Sequence, residues 1–356
     1  MSDLLEVTKD LVDIASPSRS ETAIADLVEA RLSKIAHLSV TRIEDNVVAT
    51  SSLGRAQRML LGGHLDTVPP ASGNERARRD GDVLYGCGSA DMKGGIAVML
   101  SLAERVRAPQ VDVTYLFYAC EEIARRFSGL HAIERDRPDL LRADAAILLE
   151  PTSARIEAGC QGVLRVAIEI HGERAHSARP WAGVNAIHRV GHVLDLVRAF
   201  DEREPVIEGC RYHETLQAVQ IEGGGIGNVV PDHARVVLSH RFAPDRSAEE
   251  ALEQLGAYLA PALDQSRGDT ITLEEAAPAA RPQLDQPLIA ELARLSGQAP
   301  VAKIAWTDVA YFAERDVPAA NYGPGDPMLA HRSDEHLERE PLERVHRTLE
   351  RLLSGG

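Results

Sequence analysis

The chain has 356 residues, 44% of them hydrophobic, with 54 Asp and Glu against 39 Lys and Arg and a formal charge of −15. That length buries a large core in one big domain or two ordinary ones, and acidic residues interspersed with Arg exclude nucleic acid and anionic membrane as expected partners. No apolar run approaches the roughly 20 residues that cross a bilayer, and the amphipathic start MSDLLEVTKDLVDIAS makes the cytoplasm the expected location. In chain order, helices are predicted near Leu4–Ile14 and Glu21–Ile35, then strands near Ser39–Ile43 and Val47–Ser51. A third strand, RMLLGG, leads into HLDTVPP. After GCGSADMKGG come an amphipathic helix, Ile96–Val106, and the strands VDVTYLFYA and ADAAILLE. This is the rhythm of an α/β layer fold with a largely buried sheet.

From about Val166 the order becomes strand, helix, strand, strand, helix, strand: VAIEIHG, VNAIHRVGHVLDLVRAF, TLQAVQIEGG, HARVVLSHRFA, SAEEALEQLGAYLAPALD, TITLEEA. A βαββαβ order of this size makes a ferredoxin-like α+β sandwich. The run APAARPQLDQP then reads as a linker, after which LIAELARLSG, PAANYG and PLERVHRTLERLLSG resume the α/β rhythm. The expected division is a catalytic domain of residues 1–166 and 280–356, with residues 167–279 inserted into it. Cys87, Cys120, Cys160 and Cys210 form no CxxC pair and read as small core residues.

Acidic and imidazole residues recur where the apolar runs stop, which is where open α/β sheets build their sites. His64 and Asp66 follow MLLGG, Asp91 follows a glycine-rich turn, Glu121 and Glu122 follow TYLFYAC, Glu150 follows AAILL, and His331 lies in LAHRSDEH. One such residue ordinarily means a solvated turn; five such places in one chain point to a common centre. His64, Asp91, Glu122, Glu150 and His331 together supply two imidazoles and three carboxylates, a set that suits a pair of zinc-like ions sharing one carboxylate. Asp91 is the expected bridge, with Gly86, Gly88, Gly94 and Gly95 permitting the tight backbone around it. Asp66, two residues beyond His64, is expected to accept the other ring N–H of His64 through its carboxylate, or to cap the turn before TVPP. Adjacent Glu121 and Glu122 past a buried strand would raise a pKa unless cations lay nearby. Glu122 then serves as a ligand and Glu121 as the base that takes a proton from water and passes it to a leaving nitrogen.

The motifs GGHLDTVP, GCGSADMKGG, CEEIARR, LLEPT and AHRSDEH, in that order, resemble the dinuclear zinc M20 peptidase and deacylase family across nearly the whole chain. The resemblance implies a zinc-peptidase-like catalytic domain, a mixed sheet with helices on both faces, carrying an inserted lid and dimerisation domain. It implies two Zn2+ per subunit, with Co2+ or Mn2+ as possible substitutes: His64 and Glu150 on one, Glu122 and His331 on the other, Asp91 bridging, and Glu121 as general base. GERAHSARPWAGVNAIH resembles the stretch whose histidine, here His176, reaches the active site of the other subunit of a homodimer and hydrogen-bonds the developing oxyanion. GIGNVVPDHARVVLSHRF resembles the segment whose Asn228 and Arg241 hold a substrate carboxylate, Arg241 through a bidentate fork. Within the family, NYGPGDPMLAHRSDEH with EAGCQGVLRV most resembles the actinobacterial succinyl-diaminopimelate desuccinylases. That implies a small acylated amino acid as substrate and the removal of succinate from N-succinyl-LL-2,6-diaminopimelate in lysine and diaminopimelate synthesis. Two departures stand out: Gln161 where other desuccinylases carry a basic pair, and IARRFSG after the double glutamate in place of an immediate glycine. The neighbouring readings are acetylornithine deacetylase or another M20 aminoacylase or carboxypeptidase, and, from a different class, a non-catalytic dimeric binding module.

Overall fold

A computed structural model describes residues 3–355. The chain divides into two compact units. One runs through Ala158 and adds Gln283–Val301 and the chain from Tyr311; the other comprises Gly159–Pro282 and Ala302–Ala310.

In the first unit, α1 (Leu4–Val12) starts where the Asp3 carboxylate accepts the Leu5 N–H. After α2 (Thr22–Leu32), the hairpin β1 (Leu38–Ile43) and β2 (Asn46–Ser51) opens an eight-stranded sheet. β3 (Arg58–His64), β4 (Asp112–Tyr118) and β5 (Ala145–Leu148) follow, and the short strands Ala319–Asn321, Glu157–Ala158 and Val301–Ala302 complete the sheet beyond β5. β2 meets β4 antiparallel, whereas β3 lies parallel between β4 and β5. Strands buried on both faces need continuous apolar runs, and every residue of β4 is buried. Odd-numbered side chains such as Met59, Leu61, Tyr115, Phe117 and Ile147 pack in one cluster with α1, α2, α3 (Gly94–Arg105), α7 (Pro287–Ser296) and α8 (Arg339–Ser354). A further helix, α4 (Gly129–Asp136), is capped by the Ser128 hydroxyl. α3 begins two residues before its predicted start because Gly94 and Gly95 are helical; a Cβ on Gly95 would lie 2.5 Å from the Leu149 carbonyl oxygen, so the helix passes tight against the end of β5.

The register sets the future site. His64 pairs with Tyr118, and Gly62 with both Leu116 and Leu148, so the carboxyl ends of β3, β4 and β5 finish side by side. His64, the turn Ala119–Glu122 and Glu150 therefore emerge at one edge.

The second unit runs β6 (Gly162–His171), α5 (Ala186–Arg198), β7 (Thr215–Gly223), β8 (His233–Phe242), α6 (Ala248–Leu259) and β9 (Thr270–Ala277). The antiparallel order β7-β8-β6-β9 is that of a ferredoxin-like sandwich. Leu164, Val166, Ile168 and Ile170 alternate along β6 and pack with α5 and α6 residues, as one solvated and one covered face require. A capping box of Ser247 and Glu250 opens α6.

The unit boundaries differ from the sequence expectation of 166/167 and 279/280. β6 begins pairing at Gly162, opposite Phe242, and Cys160 exchanges two 3.0 Å backbone hydrogen bonds with Ala280, so residues 159–166 join the inserted unit. The stretch Ala302–Ala310 joins it too, tied by the Gln161 N–H to the Lys303 carbonyl at 3.2 Å. Such backbone pairing between distant segments leaves no periodicity in the sequence. Cys87, Cys160 and Cys210 are buried, but Cys120 is not a core residue: it is half-exposed, its thiol 3.3 Å from Glu21 Oε1.

Candidate active site

Five side chains meet at the edge where β3, β4 and β5 end. His64 Nε2 lies 3.1 Å from Asp91 Oδ1 and 4.0 Å from Glu150 Oε1. On the other side of Asp91, His331 Nε2 lies 3.7 Å from Asp91 Oδ2 and 3.0 Å from Glu122 Oε2. The ligand atoms thus form two triads, His64–Asp91–Glu150 and Asp91–Glu122–His331, each within 4.8 Å and with Asp91 common to both.

The backbone holds each carboxylate in place. Asp91 sits in a distorted turn, Ser89–Lys93, between Gly88, at φ +81°, and α3; the Asp91–Met92 peptide is cis. Only glycine takes such a φ without cost, and the Gly88 N–H uses it to donate to Glu335 Oε2 at 3.0 Å. Glu335 Oε1 accepts the N–H groups of Ala90 at 2.9 Å and Asp91 at 3.0 Å. One buried carboxylate therefore receives three backbone donors of the Asp91 turn. Burial pushes the Glu335 carboxyl up to about 7, against the pull of those three donors. Glu335 was not anticipated: in SDEH it reads as one more acid in a solvated turn, and the only signal was its place four residues after His331.

The Asp66 carboxylate does a different job from the one expected. His64 Nδ1 lies 3.0 Å from the Asp66 backbone carbonyl and 3.6 Å from its nearer carboxylate oxygen, so the ring N–H donates to the backbone. The tautomer is fixed as expected, with Nε2 turned to Asp91, but by a main-chain acceptor. The carboxylate instead accepts the Glu121 N–H at Oδ1 and the Glu122 N–H at Oδ2, both at 3.0 Å, together with the Ser18 hydroxyl at 2.7 Å. It aims the double glutamate. Cys120, just before, is held at φ +61° by Glu21, whose Oε1 accepts the Cys120 N–H at 3.0 Å, and His331 sits at φ +65°. Non-glycine residues in that region persist where the surroundings over-determine them.

Electrostatics test whether the cluster fits divalent cations. Burial disfavours a charged His64, yet Asp66, Asp91 and Glu150 push its pKa well up; the Glu122 carboxylate, against partial burial, likewise raises that of His331. Three carboxylates in so small a space draw protons onto both imidazoles, the response of a donor set short of positive charge. Nitrogen and oxygen donors in two triads sharing one carboxylate suit a pair of borderline ions.

Other expected site residues lie in the second unit. His176 and Asn228 come together there: His176 bridges Val229, and the Ser177 N–H donates to the Asn228 carbonyl at 2.9 Å. Both are exposed. Arg241 does not join them. It lies near the far end of β8, opposite Thr215 and Val163, and the eight steps from His233 to Arg241 span about 27 Å of strand. Asn228 and Arg241 therefore do not close on one carboxylate within a single chain. Arg241 is half-buried, which lowers its pKa from the usual value, and it makes no ion pair among the described residues. Gln161 is fully buried and donates from Nε2 to the His213 carbonyl at 2.8 Å, a tie within the unit.

The profile of peptidase family M20/M25/M40 matches residues 60–355. The chain belongs to this family. A Mycobacterium tuberculosis protein provisionally named succinyl-diaminopimelate desuccinylase is 47% identical over 356 residues, 99% of this chain and 98% of its own length. The Corynebacterium glutamicum succinyl-diaminopimelate desuccinylase is 41% identical over 360 residues, covering 99% and 97%. Among solved M20-fold structures, a Staphylococcus aureus tripeptidase matches with a TM-score of 0.80 at 19% identity over 99% of this chain and 97% of that one. An M20 family metallo-carboxypeptidase from Sulfolobus solfataricus follows at 0.76 and 17%, over 99% of both. No helix among the described residues is long and apolar enough to cross a membrane.

Glu335→Ala should leave three buried N–H groups without an acceptor and lower unfolding stability by about 2–5 kcal/mol in urea titrations; Glu335→Gln, which keeps one acceptor oxygen, should lose less. Equal stability of all three proteins would refute the clamp. Stripping the protein with a chelator should lower its melting temperature by on the order of 5–10 °C, with recovery on adding zinc; an unmoved transition would mean that the two triads hold no cation.

Proposed function

We infer that the chain is a metal-dependent amide hydrolase that removes succinate from N-succinyl-LL-2,6-diaminopimelate in lysine and diaminopimelate biosynthesis. The observation that carries the chemistry is the pair of triads sharing Asp91, with Glu121 next in the chain to a ligand; full-length likeness to two proteins named for desuccinylation supports the substrate. Zn2+ is the assigned ion on the strength of two imidazoles among five ligands, and Co2+ or Mn2+ are the substitutes the same donors accept. His64 and Glu150 would hold one ion, Glu122 and His331 the other, with Asp91 within reach of both. When bound, such ions supply Lewis acidity, polarising a carbonyl and making water acidic enough to ionise near neutral pH.

The chain's own groups do the rest. Glu121 takes the proton of the attacking water and returns it to the leaving amide nitrogen. Asp66 holds the N–H of Glu121 and that of Glu122 on different oxygens and so fixes the turn from which one binds while the other shuttles. Arg241 receives a substrate carboxylate in its guanidinium fork, and His176, beside Asn228, donates to the developing oxyanion. The cytoplasm, where the substrate is made and used, is the proposed location.

A homodimer completes this assignment. β7 lies at the sheet edge with Gln217–Gly223 exposed, including Val219 at 55% and Ile221 at 54%. An apolar, unpaired edge strand is a template for a second copy, and a two-fold axis pairs like with like. The distance between Asn228 and Arg241 favours the same reading: Arg241 of one subunit works with His176 and Asn228 of the partner subunit.

Glu121→Gln should keep both ions by elemental analysis and lose at least about a thousandfold in kcat; loss of metal instead would make Glu121 a ligand. Wild-type kinetics on succinyl-diaminopimelate and acetylornithine check the substrate, and a large preference for the latter would replace the desuccinylase assignment. His176→Ala and Arg241→Ala should each be nearly inactive alone, but an equimolar exchange of subunits should recover about one quarter of wild-type activity, because half the dimers then carry one intact site of two. No recovery would rule out action across subunits.

A further inference from the structure

Outside the ligand cluster, the loop after Glu122 carries positive charge that the described residues do not neutralise. The loop is anchored at both ends: the Ala119 N–H donates to Asn46 Oδ1 at 2.9 Å, and the Gly129 N–H to the Ala119 carbonyl at 2.8 Å. A Cβ on Gly129 would fall 1.8 Å from Asn46 Oδ1, so the anchor tolerates no side chain there. Between the anchors the tight turn Arg125–Phe127 brings the Phe127 ring to the surface, 41% exposed. The guanidinium carbons of Arg19 and Arg126 lie 4.2 and 4.5 Å from its centroid.

Stacking on an aromatic face steadies a guanidinium without cancelling its charge. Neither Arg19 nor Arg126 makes an ion pair among the described residues. Their neighbours do: Arg125 pairs with Glu314, and Arg315 holds Glu134 through two hydrogen bonds of 2.7 and 2.6 Å. Those four side chains line a depression of about 620 Å³ together with Arg126 and His131. Both of its carboxylates are thus engaged, and Arg126 is left as a donor.

The loop is also tied to the ligand cluster. Arg126 is four residues beyond Glu122, hence within about 14 Å along the chain. Arg19 adjoins Ser18, whose hydroxyl donates to the Asp66 carboxylate that aims Glu121 and Glu122. In a chain of net charge −15, an anion approaching this edge needs such a cationic pair.

We propose that Arg19 and Arg126, steadied by Phe127, form a subsite for a substrate carboxylate remote from the scissile amide. This rests on the desuccinylase reading, whose substrate carries one carboxylate on the acyl group and one at each end of the diaminopimelate. The two forks accept a carboxylate from either source.

The test measures kcat/KM for the zinc-loaded wild type, Arg19→Ala, Arg126→Ala and Arg126→Lys on three substrates: N-succinyl-diaminopimelate, N-butanoyl-diaminopimelate, which lacks the acyl carboxylate, and Nα-succinyl-lysine, which lacks the far one. Thermal midpoints confirm folding. Each alanine variant should lose tenfold or more on the full substrate, mainly through KM, and that penalty should vanish on one of the two analogues, naming the carboxylate; Arg126→Lys should recover part of it. A penalty equal on all three substrates, or none on the first, overturns the subsite. A wild type that prefers the butanoyl compound overturns the desuccinylase reading and the subsite with it, whereas a wild type selective for succinate whose variants keep the same penalty on both analogues as on the full substrate overturns the subsite alone.

Discussion

The arrangement depends on a concentration of negative charge that the fold creates and then immobilises. Asp91, Glu122 and Glu150 converge with His64 and His331 at the ends of three parallel strands. Nothing in an apolar sheet would gather three carboxylates unless a cation repaid the repulsion and desolvation. The raised pKa values of both imidazoles express that need in the protein alone. What keeps the carboxylates from swinging apart is backbone hydrogen bonding to two further acids: Asp66 holds the N–H groups of Glu121 and Glu122, and Glu335 holds those of Gly88, Ala90 and Asp91. A rigid outer frame of this kind lets ligands meet an ion with little rearrangement.

The two units divide the labour. The first supplies every metal-ligand candidate and the candidate base, all from strand ends or the turns after them. The second is a regular antiparallel sandwich whose candidate residues sit at opposite ends of β8. Because a strand is stiff and its rise per residue nearly constant, β8 keeps Arg241 far from His233, and the loop that carries Asn228 lies beyond the His233 end, where Val229 bridges His176. This single length makes a second copy part of the chemistry in the proposed mechanism, and gives the exposed edge strand β7 a role.

Much of this was legible in the linear order. The βαββαβ pattern appeared as periodicity, and the ligand candidates stood out because each closes an apolar run, where a charged residue cannot continue a buried strand. The roles of the supporting acids were not legible. Glu335 contacts the Asp91 turn from 244 to 247 residues away, and Asp66 reaches the double glutamate across 55 and 56. In sequence both look like ordinary turn acids, since what distinguishes them is which N–H groups they meet. The unit boundary at Gly159 was hidden for the same reason: it is set by pairing of Cys160 with Ala280, not by composition.

By itself, then, the sequence determined the class of chemistry, because metal hydrolysis needs particular side chains and those residue types appear in a particular order after strands of recognisable character. Only the tertiary structure decided which acids hold the frame, that the His64 N–H goes to a backbone carbonyl, and that Asn228 and Arg241 lie toward opposite ends of β8. The reason is physical: residue type is local, whereas distance and hydrogen-bond partner are properties of segments that meet only when the chain has folded.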